Sequence, residues 1–510
     1  MLNSIAWRRR LVGFLLPFLI CVLGVKVLAQ AAGPAAAAPM SATAPAAANP
    51  PLPVVQAAPP PPPAVTSTLA ERAQSAFGLV MFIVLAWLIG QLRRAPKRVP
   101  LRIIAWGLVF MFGFGLLVSK NRTVLLTITS AVNALLAFTF KGAHFVFGDL
   151  SNNPGTGVVV SAPDGHAIGY AHDVGYFAFF VLPTIIFLSC LISLLYYIGI
   201  MQYVIQGLAW LMSKSMGTSG AETLSAVANI FVGQAESPLI IKPLLPACTM
   251  SEVMVIMTAG FANIATGVLA LYSVWMAPYV RDAAGHLAAC CFMSAPGALL
   301  VAKLIVPETE QPQTAGGVEF RITRAETNLI DAASRGTADG LHIAMNVGAM
   351  LISFTAGVAL IDALLGWFSV VTHLTSAANP LSLEGILGWV FSPLAWLAGV
   401  PWSEANAVGS LLGIKTVLNE MIAYGSMKDH FVAAAAASGS PYQYLSPRTA
   451  LIATYALCGF ANFASIGIQV GGISAMAPTR RHDLSRLGLW AMVGGAISTL
   501  MAACIVGILI

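Results

Sequence analysis

The chain has 510 residues, of which 58% are hydrophobic and 9% charged, whereas about a quarter of a soluble domain's residues are charged. So little charge excludes a water-soluble globule and defines a polytopic membrane protein whose solvent is the bilayer. The net charge of +6 does not signal nucleic acid, because the basic residues Arg8–Arg10, Arg93–Arg102 and Arg480–Arg486 border apolar stretches, where they act as orientation anchors.

Residues 1–30 join a basic start, Trp7-Arg8-Arg9-Arg10, to an apolar run from Leu11 to Val25. This is the pattern of a signal peptide or an uncleaved signal anchor, and Lys26 beside the would-be cleavage site weakens the cleaved form. Residues 31–70 are Ala/Pro-rich, with a proline run from Pro59 to Pro63, and read as a periplasmic tether that cannot pack a core. Arg8–Arg10 and Arg93–Arg98 both lie inside, so two crossings separate them and the tether is outside. Residues 71–175 hold N-terminal scaffold helices, with spans at about 75–92 and 102–119, each long enough for the apolar core. Between Thr123 and Leu150, Asn133, Lys141 and His144 interrupt the pattern, and an interfacial helix and a crossing are both open.

Residues 176–305 form a first repeat with spans at about 177–199, 252–276 and 286–306. Residues 306–337 are an aqueous loop and an amphipathic helix. A second repeat, 338–475, has spans at about 338–364, 411–425 and 446–472, and 476–510 is a C-terminal transmembrane helix. Within each repeat one apolar stretch is broken. Residues 222–247 are interrupted at Gly233-Gln234-Ala235-Glu236-Ser237-Pro238, where Pro238 suits a first helical turn and Ser237 an N-cap. Residues 385–410 are interrupted at Gly399-Val400-Pro401-Trp402-Ser403-Glu404. Each half is about ten residues, roughly 15 Å of helix against an apolar core of about 30 Å, so both stretches fold back as re-entrant hairpins.

After each hairpin comes the same short phrase, Gly260-Phe261-Ala262-Asn263-Ile264-Ala265-Thr266 and Gly459-Phe460-Ala461-Asn462-Phe463-Ala464-Ser465. The Asn and the hydroxyl three residues later fall on one helical face, which lipid cannot satisfy and which therefore looks inward. For Asn263 and Thr266, helix–helix hydrogen bonding and ligand contact both remain open. The expected fold is all-α and polytopic, with inverted repeats, two re-entrant helical hairpins and broken transmembrane helices, the architecture of secondary transporters. Glu236 at the first hairpin tip and Glu420 in a span are costly in a bilayer and need a task or a partner, Lys242 and Lys415 being the structural alternatives. Beside the amides of Gln234 and Asn419, and extended by Asn462 and Ser465, they form a surface suited to a polyhydroxylated, heterocyclic solute. The runs at Gly471-Gly472 and Gly494-Gly495 read as close-packing sites. No HExxH, phosphate-cradling glycine loop or assignable Ser-His-Asp set is present, which points away from an enzyme, and the seven cysteines, without CxxC, read as buried small hydrophobes.

The chain from about Leu182 onward resembles the concentrative nucleoside transporters. The resemblance is carried by Leu182-Pro183-Thr184-Ile185-Ile186-Phe187, Ser219-Gly220-Ala221-Glu222, the run Ala228 to Leu239, Lys415 to Tyr424, and Ala456 to Phe463. It implies a homotrimer in the cell inner membrane, each protomer with a scaffold and a mobile transport domain that holds the hairpins, importing nucleosides by cation symport. By the same resemblance Gln234 and Glu236 face the nucleobase with Val268 against its ring. Glu420, Asn462 and Ser465 bind ribose hydroxyls, and Phe460 lines the pocket. A sodium ion, the coupling ion and not a resident cofactor, would be held by the oxygen of Asn229, the carbonyls of Val232 and Ile264, and the side chain of Asn263. Two positions depart from the family pattern. Ala235 stands where Thr is usual, leaving base preference open, and Asn263 stands where a hydroxyl is usual, so sodium coupling has proton coupling as its alternative.

Overall fold

The structure, a computed structural model, describes residues 65, 67–93, 100–119, 121–151, 158–161, 167–171, 177–180, 182–234, 236–277, 279–315, 327–374, 380–436 and 445–510. The signal segment and nearly all of the tether lie outside these residues, as does Ala235. The described residues are helical apart from short 3-10 turns and one antiparallel ribbon, β1 (Val158–Ser161) with β2 (Ala167–Ala171), which no sequence signal announced.

Three helices come first: α1 (Leu69–Leu92), α2 (Leu101–Ser119) and α3 (Arg122–Phe147). A capping box opens α1, with Thr68 Oγ1 accepting from the Glu71 N–H and Glu71 accepting from the Thr68 N–H. The 25 residues Thr123–Phe147 are apolar enough to cross a bilayer, which favours the crossing over the interfacial alternative for this segment. Next, α4 (Leu182–Ile198) and α5 (Ile200–Met216) meet at 79°, turned by Gly199 at φ +97°, a conformation only glycine adopts freely. None of the expected spans covers α5.

The first hairpin descends through α6 (Gly220–Ala228) and returns through two 3-10 turns, Ser237–Ile241 and Leu245–Ala247, instead of an α-helix. Pro238, Pro243 and Pro246 remove the N–H donors that an i→i−4 ladder needs. Ser237 is consequently the first residue of its turn and not its side-chain cap. The following span is broken, as α7 (Met250–Ala262) and α8 (Thr266–Met276), and α9 (Ala283–Ile305) completes the repeat.

The second half opens with α10 (Leu329–Val371), one unbroken helix of 43 residues that fuses the expected amphipathic helix and span. The second hairpin is α11 (Leu383–Leu397) and α12 (Trp402–Val417), bent by 116° at Gly399, φ +102°. Its return limb runs past residue 410, so the expected span 411–425 is split at Leu418-Asn419 between α12 and α13 (Glu420–Ala436). The last elements are α14 (Pro447–Leu457), α15 (Phe463–Met476) and α16 (Arg481–Leu509).

The core lies around α9 and α16, whose apolar windows are 89% and 78% buried against 22% for α2 and for α3. Packed on them are α1, α2 and α7. Gly495 permits a close approach, since a Cβ there would stand 2.4 Å from Phe261 Cβ, whereas Gly471 faces open space within the protomer and does not pack closely there as its sequence suggested. Apart from this core, α4 pairs with α10, backbone against backbone where Gly336 and Gly340 meet Cys190 and Ile186. Beyond this pairing α10 carries many exposed apolar side chains, Ile352 exposed by 74% and Trp367 by 67%.

Two buried polar clusters hold the hairpins. Lys303 Nζ reaches Glu222 Oε2 at 2.8 Å and Glu308 Oε2 at 3.1 Å, while Ser219 donates to Glu252 at 2.5 Å. These bonds join the first hairpin's root to the start of α7 and the end of α9. At the second hairpin, the buried Arg448 guanidinium donates to the Gly399 carbonyl, to Ser75 Oγ at 3.0 Å and to the Gly507 carbonyl at 3.3 Å, tying the tip to α1 and α16. Each cation satisfies several acceptors at once, as burial of a charge requires.

Candidate functional site

The two repeated phrases converge in space. Asn263 ends α7 and Asn462 precedes α15, both in extended backbone (φ −127°, ψ 164° and φ −139°, ψ 162°), and the Phe460 N–H donates to the Asn263 carbonyl at 3.2 Å. The expectation that each Asn shares a helical face with the hydroxyl three residues on is therefore replaced. Asn462 is the N-cap of α15, its Oδ1 accepting from the Ser465 N–H at 2.8 Å. Gly459 allows the approach, since a Cβ there would lie 2.9 Å from the Phe261 carbonyl oxygen and 2.8 Å from Thr499 Cγ2.

Glu420, the first residue of α13, is buried beside this junction. Tyr272 Oη donates to its Oε1 at 2.9 Å and Asn462 Nδ2 to its Oε2 at 3.3 Å. Lys415 makes no direct ion pair with it: that ammonium donates to the Ala456 carbonyl at 2.8 Å and to Thr499 Oγ1 at 3.1 Å. Tyr272 is held in turn by stacking on Tyr424, centroids 4.2 Å apart, and Tyr424 is fixed by its bond to the Thr454 carbonyl at 2.6 Å. Asn419, the neighbouring amide, caps the start of α13 through the Ile422 N–H at 2.9 Å.

From the first hairpin tip, Gln234 Nε2 donates to Ser465 Oγ at 3.1 Å, and Gln234 Oε1 accepts from Gln469 Nε2 at 3.0 Å. Glu236 stands apart. Its exposed carboxylate accepts from the Gly233 N–H at 3.2 Å and so closes the tip on itself. Val268, early in α8, is buried, and Phe460 in the second break is half-buried, apolar walls on the segments that bracket the polar groups.

Beneath the tip, Asn263 Nδ2 donates to the Asn229 carbonyl at 2.5 Å and Asn229 Nδ2 to the Ala259 carbonyl at 2.5 Å. Asn263 Oδ1 is buried and has no hydrogen-bond partner among the described residues. An acceptor in that state costs free energy unless something electropositive completes it, and a hard cation with oxygen ligands suits it. Ile264, whose carbonyl is another expected ligand, is buried directly after Asn263, and Val232 follows Asn229 at the end of the same hairpin limb. Tyr272 and Gln469 were missed in the sequence. For Gln469 the signal was present, a glutamine one turn beyond Ser465 in an otherwise apolar helix.

Two fold-back hairpins, two broken helices and polar groups gathered where the breaks meet define a secondary transporter. Residues 286–507 match the family described as "Na+ dependent nucleoside transporter C-terminus", 178–281 "Nucleoside recognition" and 77–150 "Na+ dependent nucleoside transporter N-terminus". The chain is 40% identical over 438 residues to the uncharacterized transporter YutK of Bacillus subtilis, covering 85% of this chain and 98% of that protein. With sodium/nucleoside cotransporter 1 of Mus musculus it shares 38% over 452 residues, 87% of this chain and 65% of the mouse protein, so it spans about two thirds of that relative's length. The solved structure of CNTnw in an inward-facing substrate-bound state is 39% identical and superposes with a TM-score of 0.74, covering 86% of this chain and 98% of CNTnw. An outward-facing double variant of CNTnw gives 0.75 at 38% identity, covering 87% and 98%. The chain belongs to the concentrative nucleoside transporter family.

Proposed function

We propose that this protein imports nucleosides across the cell inner membrane by symport with sodium. The observation that carries the reading is the junction itself: Glu420, Asn462, Ser465 and Gln234, contributed by both repeats, meet in one hydrogen-bonded group. Glu420 accepts from ribose hydroxyls, and Asn462 and Ser465 complete that side. Gln234 and the exposed Glu236 read the base edge, with Val268 against its ring and Phe460 lining the pocket. Only polar groups with unused donors and acceptors hold a solute that is polar at its rim and apolar on its faces.

Coupling follows from position. Asn229 closes α6 and leads into the tip that carries Gln234 and Glu236, so a sodium ion bound by Asn263 Oδ1, the oxygen of Asn229 and the carbonyls of Val232 and Ile264 steadies that tip. An ion that favours the ordered tip and a nucleoside that needs it raise each other's affinity. In this account the protein is a homotrimer whose exposed apolar α10 face meets neighbouring copies, and the hairpins move as part of a transport domain. Uptake of labelled uridine and adenosine into vesicles, under an imposed Na⁺ gradient and separately under an H⁺ gradient, tests the proposal. Sodium-driven accumulation is expected. Absence of uptake under both gradients overturns nucleoside transport, and full uptake driven by a pH gradient without sodium replaces sodium by the proton.

A further inference from the structure

We infer that Gln469 fixes the hydrogen-bond polarity of Gln234, so that the site offers an N–H donor to the base and prefers bases with a carbonyl at the contacted position over those with an amino group. The inference rests on the reading of Gln234 as a base contact given above. It starts from an atom whose character is not open to choice, the backbone carbonyl oxygen of Met257, which can only accept. Gln469 Nε2 lies 3.2 Å from it and 3.0 Å from Gln234 Oε1, so both of its N–H bonds are committed. Gln234 must then turn its oxygen toward Gln469 and its nitrogen the other way, where Nε2 donates to Ser465 Oγ at 3.1 Å. One N–H of Gln234 remains for a ligand.

Reversal of either amide is opposed. Rotating Gln234 sets NH₂ against NH₂, and rotating Gln469 to receive it sets an amide oxygen against the Met257 carbonyl. Both glutamines are buried, Gln469 completely and with its own Oε1 lacking a partner among the described residues, so the opposed donors or opposed acceptors of a reversed pair, a greater cost than one idle acceptor, would not be relieved by water. The space for this relay comes from the first glycine of the repeated phrase. A Cβ on Gly260 would stand 2.5 Å from Gln469 Nε2. Gln469 is thus a positioning residue: it acts on the base through Gln234, from the opposite repeat.

Uracil and hypoxanthine carry a carbonyl where cytosine and adenine carry an amino group, so uridine against cytidine, and inosine against adenosine, are matched probes. Competition for sodium-driven uptake into vesicles of the wild-type protein should favour uridine and inosine. Gln469→Leu, which keeps the volume and frees the Gln234 amide to turn, should bring the uridine to cytidine ratio toward unity by about three- to tenfold, the weight of one neutral hydrogen bond. Gln469→Met is the parallel variant should the leucine form fail to fold. A wild type that prefers cytidine, an unchanged ratio in a folded variant, or an equal fall for both nucleosides each overturns the inference. Wild-type uptake of none of the four would instead defeat the transport reading itself.

Discussion

The two repeated phrases are similar in sequence and hold their asparagines in the same extended backbone, but differ in what those asparagines have left to give. Asn462 uses both ends of its amide, the oxygen capping α15 and one N–H on Glu420, with a second N–H left over, so this junction organises a carboxylate. Asn263 uses only its nitrogen, on the Asn229 carbonyl, and keeps a buried oxygen without a partner among the described residues. The difference lies in the elements on either side. Asn462 has the free N–H groups of a new helix directly after it, whereas Asn263 ends a helix and faces the end of a hairpin limb. In the function proposed above, the repeated phrase serves the solute at one junction and the cation at the other.

That division can be broken most strongly at Glu420. Glu420→Gln removes a charged acceptor and should weaken ribonucleoside binding by about 1.5 to 3 kcal/mol, with a smaller loss for deoxynucleosides that lack the contacted hydroxyl, measured by competition for uptake. Equal losses would place Glu420 outside the ribose site. Gly459→Ala comes next. Its Cβ meets Phe261 O at 2.9 Å and Thr499 Cγ2 at 2.8 Å, and forcing the junction apart should destabilise the protein by about 1 to 3 kcal/mol. Gly471→Ala, in open space on the neighbouring helix, is the control and should stabilise by about 0.5 to 1 kcal/mol. Thermal unfolding in detergent compares the two, and equal shifts would contradict the close approach. Asn462→Ala should cost about 1 kcal/mol from the lost cap and weaken nucleoside binding with it. The smallest change is expected from Asn263→Ser, which replaces the amide oxygen by the hydroxyl usual at this position and should keep uptake sodium-dependent. Sodium-independent uptake by that variant would remove Asn263 from the ion site.

Much of this arrangement was legible in the residues. Gly399 and Pro238 located both hairpin tips, because glycine and proline act on the backbone locally, whereas the repeated phrase marked two inward-facing polar segments but read as helix where the structure has breaks. The 3-10 form of the first return limb was encoded as well, in three prolines within nine residues, 238 to 246. What stayed hidden depends on contacts between distant segments. Nothing near Glu420 announces Tyr272, 148 positions away, or shows that Lys415 turns to the Ala456 carbonyl and Thr499. The same holds for Arg448, whose acceptors lie on α1, the second hairpin and α16. Asn263 and Asn462 looked alike because their difference is made by partners that the fold supplies.

The division of labour between the junctions is tested most directly by titrating uridine binding to purified wild type, Asn263→Ala and Asn462→Ala across a range of sodium concentrations. Asn263→Ala should need more sodium for half-maximal effect and converge on wild-type uridine affinity when sodium saturates, while Asn462→Ala should bind uridine more weakly at every sodium concentration with its sodium midpoint little changed. Two variants that shift the sodium midpoint and the saturating uridine affinity alike would contradict the account.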